Sequence, residues 1–164
     1  MFDDLTDLYQ QVILDHSKRP RNFGVLEGAN RTAEGHNPLC GDHVTLFMVV
    51  DGDNTIKDIR FTGDGCAIYK ASASLLTECL KGKRKDEVKS LFDKVHQMVT
   101  SGEVNGDVGK LAVFAGVHKF PARVKCAILP WHAALAAMEG RTTPVTTERE
   151  DLSGAHDQQP DLKL

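Results

Sequence analysis

VTLFMVVDGDNTIKDIRFTGDGCAIYKASASLLTECL, residues 44–80, decides the fold. Val44, Leu46, Met48 and Val50 alternate with more polar neighbours, and Ile59 and Phe61 repeat that period of two in the next run. Alternation of this kind puts one side of a strand on a core. DGDN, residues 51–54, has the residue types of a hairpin turn between the two runs. After TGDG, residues 62–65, the period changes: Ile68, Ser72, Leu75, Leu76, Cys79 and Leu80 share one face of a helix that stops at Gly82. A strand pair running into an apolar-striped helix predicts an α+β domain.

Working outward, Leu5, Leu8, Tyr9, Val12 and Ile13 form the stripe of an N-terminal helix that ends at KRPRNFG, residues 18–24. NRTAEGHN, residues 30–37, supplies an edge strand, so the expected sheet is small, antiparallel and three-stranded. Downstream, Val88, Leu91, Phe92, Val95 and Val99 mark another helix, and residues 108–117 a shorter one. KFPARVKCAILPWHAALAAMEG, residues 119–140, reads as a helix entered at Pro121 and left at Gly140. Pro130 lacks the N–H that would bond the carbonyl of Cys126, which predicts a kink there. From Arg141 the periodicity is lost. The expected organisation is one domain over residues 1–140 and a flexible polar tail over 141–164.

The net charge of −3 gives no electrostatic reason to expect nucleic acid or an anionic membrane as partner. Apolar runs such as LFMVV, residues 46–50, are far too short to span a bilayer. The acidic, amphipathic N-terminus lacks the basic and apolar regions of a secretory signal, so the cytosol is the expected compartment. Thiols stay reduced there, which turns attention to metal or redox chemistry at the four cysteines. Cys79 sits on the apolar stripe of its helix and reads as a small core hydrophobe. Cys40 lies in a loop, Cys66 where a glycine-rich turn enters a helix, and Cys126 near the start of the last long helix. With Asp42 they could converge on one ion, a donor set that suits zinc, or iron where sulfide is supplied. The intervals from 40 to 66 and from 66 to 126 are much longer than those of a zinc finger, so spacing leaves the site open. Asp42 could equally cap backbone amides of its turn. His43 could replace it as ligand, but strand alternation points the two side chains to opposite faces. Gly63 and Gly65 lack the lysine and hydroxyl of a phosphate-binding loop.

NPLCGD (37–42), TGDGCAIYKASAS (62–74) and PARVKCAIL (121–129) together resemble the IscU/NifU family of iron–sulfur cluster assembly proteins, in the right order. Lys125 where the IscU branch has histidine, and the extra helical segment between Cys66 and Cys126, are similar to the SufU branch. The resemblance implies a SufE/NifU-like fold, with Cys40, Asp42, Cys66 and Cys126 grouped as zinc ligands. It also implies a zinc-dependent sulfurtransferase that takes persulfide sulfur on Cys40 from a SufS-like cysteine desulfurase and passes it to downstream cluster-assembly proteins. Arg123 and Lys125 would offset the negative charge of three thiolates and a carboxylate, and Asp42, the harder ligand, would open the site. The alternative is a non-enzymatic scaffold that builds a [2Fe–2S] cluster on Cys40, Cys66 and Cys126. A zinc that only holds the fold is a third reading.

Overall fold

The alternating runs pair as expected, in antiparallel register. The computed structural model describes residues 2–141 and 143–147, with side chains described from Tyr9 onward. Along the chain come α1 (Phe2–Lys18), β1 (Arg31–Asn37), β2 (Asp42–Val50), β3 (Ile56–Asp64), α2 (Ala67–Leu80), α3 (Lys85–Ser101), a 3-10 helix (Gly109–Lys119), α4 (Pro121–Met138) and β4 (Val145–Thr146). In β2 the burial alternates strictly at its start: Asp42, Val44, Leu46 and Met48 point inward and His43 outward. Each fully buried aliphatic side chain contributes about 1.5–3 kcal/mol of transfer free energy, so a one-residue slip of β2 would expose Val44, Leu46 and Met48 together. At the hairpin, the Asp51 carboxylate accepts the N–H groups of Asp53 (2.8 Å) and Thr55 (3.0 Å). These bonds hold its pKa below the usual carboxylate value.

Two expectations about the sheet are corrected. It has four strands in the order β3-β2-β1-β4, and it is mixed: β4 runs parallel to β1 while the other pairs are antiparallel. Residues 30–37 therefore do not supply an edge. The fourth strand also moves the end of the folded body beyond residue 140, because Val145 and Thr147 are each 2% exposed. Residues 148–164 of the expected tail lie outside the described residues.

Helix α2 is buried on nearly every side, from Tyr69 through Thr77, since α1, α4 and β3 all pack on it. Its hydroxyls satisfy one another's partners. Ser72 donates to the carbonyl of Ala127 (2.6 Å) and accepts the indole N–H of Trp131 (3.2 Å), tying α2 to α4. Ser74 lies 2.7 Å from Nδ1 of His16, tying α2 to α1. Residues 109–119 wind as a 3-10 helix where an α-helix was expected. Helix α4 starts at Pro121 and continues through Pro130 to Met138, covering β1, α2 and α3. Trp131, Tyr69 and Phe92 are core residues, and Cys79 packs half-buried against the core with its pKa raised by burial.

Three histidines make this core sensitive to acid. Burial is the largest cause holding His16, His96 and His132 below the usual imidazole pKa of 6.5, and for His132 the depression is large. His132 packs edge-on against Phe92 with centroids 4.7 Å apart, and its Nε2 has no hydrogen-bond partner. The folded chain keeps these rings neutral, whereas the unfolded chain binds protons below about pH 6.5. Stability is therefore complete above that pH and is lost as pH falls toward the depressed folded values, by about 1.4 kcal/mol per pH unit for each fully neutral ring. Urea unfolding at about pH 7 and about pH 5 should show this loss, and His132→Leu should flatten the slope by nearly one proton.

Candidate metal centre

Four elements deliver the candidate ligands to one end of the sheet. Cys40 lies in the short β1–β2 loop, whose turn is closed by the Gly41 N–H donating to the Asn37 carbonyl at 2.8 Å. Asp42 opens β2 at an inward position and is 1% exposed. Cys66 is the N-cap of α2, where its sulfur accepts the N–H of Tyr69 at 3.5 Å. Cys126 lies in the second turn of α4 and is fully buried.

Cys40, Asp42 and Cys126 present two sulfurs and a carboxylate oxygen that all lie within 4.8 Å of one another. Cys66 stands outside that tightest group yet adjoins it. Its N–H donates to Asp42 Oδ1 at 3.0 Å, while the Cys126 sulfur donates to the Ala122 carbonyl at 3.7 Å. The neighbouring Cys126 side chain is the main reason the Cys66 pKa is lowered to about 6, helped by the N–H groups of Tyr69 and Ile68 and opposed by burial and by Asp42. Cys126 moves the other way, its pKa raised by the neighbouring Cys66 and by burial.

Asp42 Oδ2 is buried and has no hydrogen-bond partner. A buried carboxylate oxygen without a donor is costly, and a cation among the adjacent sulfurs would remove the cost. The donor chemistry of three thiols and one carboxylate suits zinc. On both counts the residues fit a bound zinc ion.

Of the two expected supporting cations, Arg123 approaches the sulfur of Cys126, with Nη1 at 3.9 Å. Its own pKa is raised, chiefly by that contact and then by Cys66. Lys125 instead lines a pocket of about 250 Å³ together with Asn37, Leu39, Cys40, Pro121 and Ala122. His43 is exposed on the opposite face of the sheet, as alternation required. Sequence reasoning missed Asn37, which is fully buried and donates from Nδ2 to the sulfur of Cys126 at 3.8 Å. The signal was present, since Asn37 has the inward parity of Ala33 and Gly35 and faces Asp42 across the ladder.

With this geometry in place, comparison with known proteins is decisive. The NifU-like N-terminal domain family matches residues 8–127. This chain belongs to that family. Among its relatives, the zinc-dependent sulfurtransferase SufU of Bacillus subtilis is 43% identical over 132 residues, covering 79% of this chain and 88% of the relative. The iron–sulfur cluster assembly scaffold protein IscU of Streptococcus pyogenes is 41% identical over 137 residues, covering 82% and 85%. Among solved structures of the family, a SUF-system cluster assembly scaffold protein from Fervidobacterium islandicum superposes with a TM-score of 0.74 at 37% identity, covering 78% of this chain and 94% of that one. The family thus includes both names that the resemblance suggested, and its solved member shares the α+β architecture. Among the described residues, no helix is long and apolar enough to cross a membrane.

Proposed function

We propose that this chain is a zinc-dependent sulfur acceptor in iron–sulfur cluster assembly, taking sulfur from a cysteine desulfurase on Cys40. The observation that carries this reading is a gradient of access within one site: Cys40 is exposed, Cys66 half-buried and Cys126 buried. A partner's mobile persulfide can reach the first sulfur and not the last. Beside Cys40 the pocket of about 250 Å³ offers Leu39, 74% exposed, and Lys125 to a docking segment.

In the transfer, the Cys40 thiolate attacks the outer sulfur of the partner's persulfide. The new S–S bond forms at Cys40 as the partner's S–S bond breaks, and the electron pair leaves on the partner's cysteine as thiolate. No external oxidant or reductant is needed. Zinc, held by Cys40, Asp42, Cys66 and Cys126, would supply the charge that keeps the sulfurs deprotonated at neutral pH. This chain's residues do the rest: Asp42 orients the Cys66 N–H, and Arg123 offsets negative charge at Cys126. The experiment is desulfurase turnover with the zinc-loaded chain, the zinc-stripped chain and Cys40→Ala. The loaded parent should accelerate turnover, and Cys40→Ala should not while keeping its fold. Equal acceleration by Cys40→Ala removes the acceptor role.

A second reading rests on the Streptococcus pyogenes relative, which is named a scaffold. In that reading the same three sulfurs hold a [2Fe–2S] cluster as cargo, with Asp42 as fourth ligand. Protein purified without oxygen separates the two: colourless with one zinc supports transfer, and brown with iron and sulfide supports the scaffold.

A further inference from the structure

We infer that the chain's last described strand completes the metal centre from outside, with Thr147 and Asn37 acting as positioning residues for the sulfur of Cys126. Thr147 Oγ1 donates to Asn37 Oδ1 at 2.9 Å, and Asn37 Nδ2 donates to Cys126 Sγ at 3.8 Å. The order of these bonds matters. A side-chain amide can present either its oxygen or its NH2 group to a neighbour. Here Asn37 turns its oxygen to the Thr147 hydroxyl and its NH2 group to the sulfur. The pair thus fixes where the Cys126 sulfur sits, as an outer group orients a metal ligand.

The seat of this strand is built into the fold. Val145 pairs with Gly35 and Thr146 with His36 in a parallel ladder, and the Thr147 N–H continues it by donating to the His36 carbonyl at 3.2 Å. A Cβ at Gly35 would lie 2.8 Å from Val145 Cγ2 and 3.0 Å from Leu129 Cδ1, so glycine lets β4 and α4 pack here without displacing those methyls. Val145 and Thr147 are each 2% exposed, and Asn37 is fully buried, which keeps water from replacing either bond. The family match stops at residue 127, so this contribution lies beyond the segment that the family defines.

The inference rests on the reading of the four residues as metal ligands, and its test uses metal binding instead of sulfur transfer. Zinc affinity of the full-length chain is measured by competition with a chromophoric chelator, and Co2+ replaces zinc to report the sulfur-to-metal absorption band. Asn37→Ala should weaken zinc about 10-fold and move the cobalt band to longer wavelength, because the sulfur loses its N–H donor. Thr147→Val should act in the same direction and less strongly, Thr147→Ser should match the parent, and Thr147→Val should add nothing to Asn37→Ala. Circular dichroism of each metal-free variant controls for folding. A Thr147→Val chain that matches the parent in affinity and spectrum overturns the inference, as does a Thr147→Ser chain as weak as Thr147→Val. A parent chain that binds neither ion overturns the metal-ligand reading itself, and this inference with it.

Discussion

Asp42→Ala is expected to lower zinc affinity by at least about 100-fold, beyond the usual range for groups that only support a ligand, while leaving the metal-free chain nearly as stable as the parent. Two opposing effects meet at this carboxylate. Oδ1 accepts the Cys66 N–H and so clasps the β1–β2 loop to the start of α2. Losing a hydrogen bond to a charged acceptor costs about 1.5–3 kcal/mol. Oδ2, however, is buried without a partner, and deleting a half-satisfied buried charge returns a comparable amount. Without metal the two offset each other; with metal only the loss remains. Asp42→Asn should fall between, because its amide oxygen can keep the Cys66 bond while the ligand charge is gone. Urea unfolding with and without chelator, together with zinc competition, measures both halves. If Asp42→Ala binds zinc like the parent, the side chain is only a clasp and the ligand set loses its carboxylate.

Among the described glycines, Gly63→Ala should be the most damaging added methyl, costing about 4 kcal/mol or more through backbone strain and overpacking together. Gly63 has φ of +142° in β3, a conformation that side chains rarely adopt. An added Cβ would fall 1.9 Å from the His43 carbonyl oxygen and 2.5 Å from the Tyr69 hydroxyl. Neither neighbour can yield easily, because the carbonyl belongs to β2 beside Asp42 and Tyr69 is fully buried, edge-on to Phe61 with centroids 6.4 Å apart. The strand must move, and Asp42 moves with it, so zinc affinity should fall alongside the urea midpoint. Tyr69→Phe separates the two clashes. Its hydroxyl is buried without a partner, so that change alone should be nearly neutral, and it should not rescue Gly63→Ala because the carbonyl clash remains. A midpoint for Gly63→Ala close to the parent's would show that β2 and β3 are looser at this rung than their spacing implies.

What the sequence made legible follows the range of the interactions involved. The period of two in β2 and β3 and the period of 3.6 in α2 and α3 are local, and each of those elements stands where its apolar spacing put it; α4 was marked by Pro121 at its start and Gly140 at its end. The same alternation set Asp42 and His43 on opposite faces, so the placement of one of the four candidate ligands could be read from one strand. Strand β4 could not be read that way. Two residues make no periodic signal, and the parallel partner lies more than a hundred positions away, as the 110-residue separation of Asn37 and Thr147 illustrates. The 3-10 helix was misread because its Leu111, Val113, Phe114 and Val117 are buried on several sides, which mimics an apolar helix without revealing its pitch. Asn37 was overlooked since a buried amide next to a proline looks like ordinary turn chemistry until its distant partners are known.

The separations at the site set the timing of its birth. During synthesis the loop at Cys40 and the cap at Cys66 emerge early, but Cys126 comes 89 residues after the amide that touches its sulfur, and Thr147 later still. A nascent chain therefore displays two unpaired thiols well before the pocket that joins them exists. Loading with an ion belongs to the finished polypeptide, and ribosome-bound fragments ending before α4 should leave the exit tunnel without it.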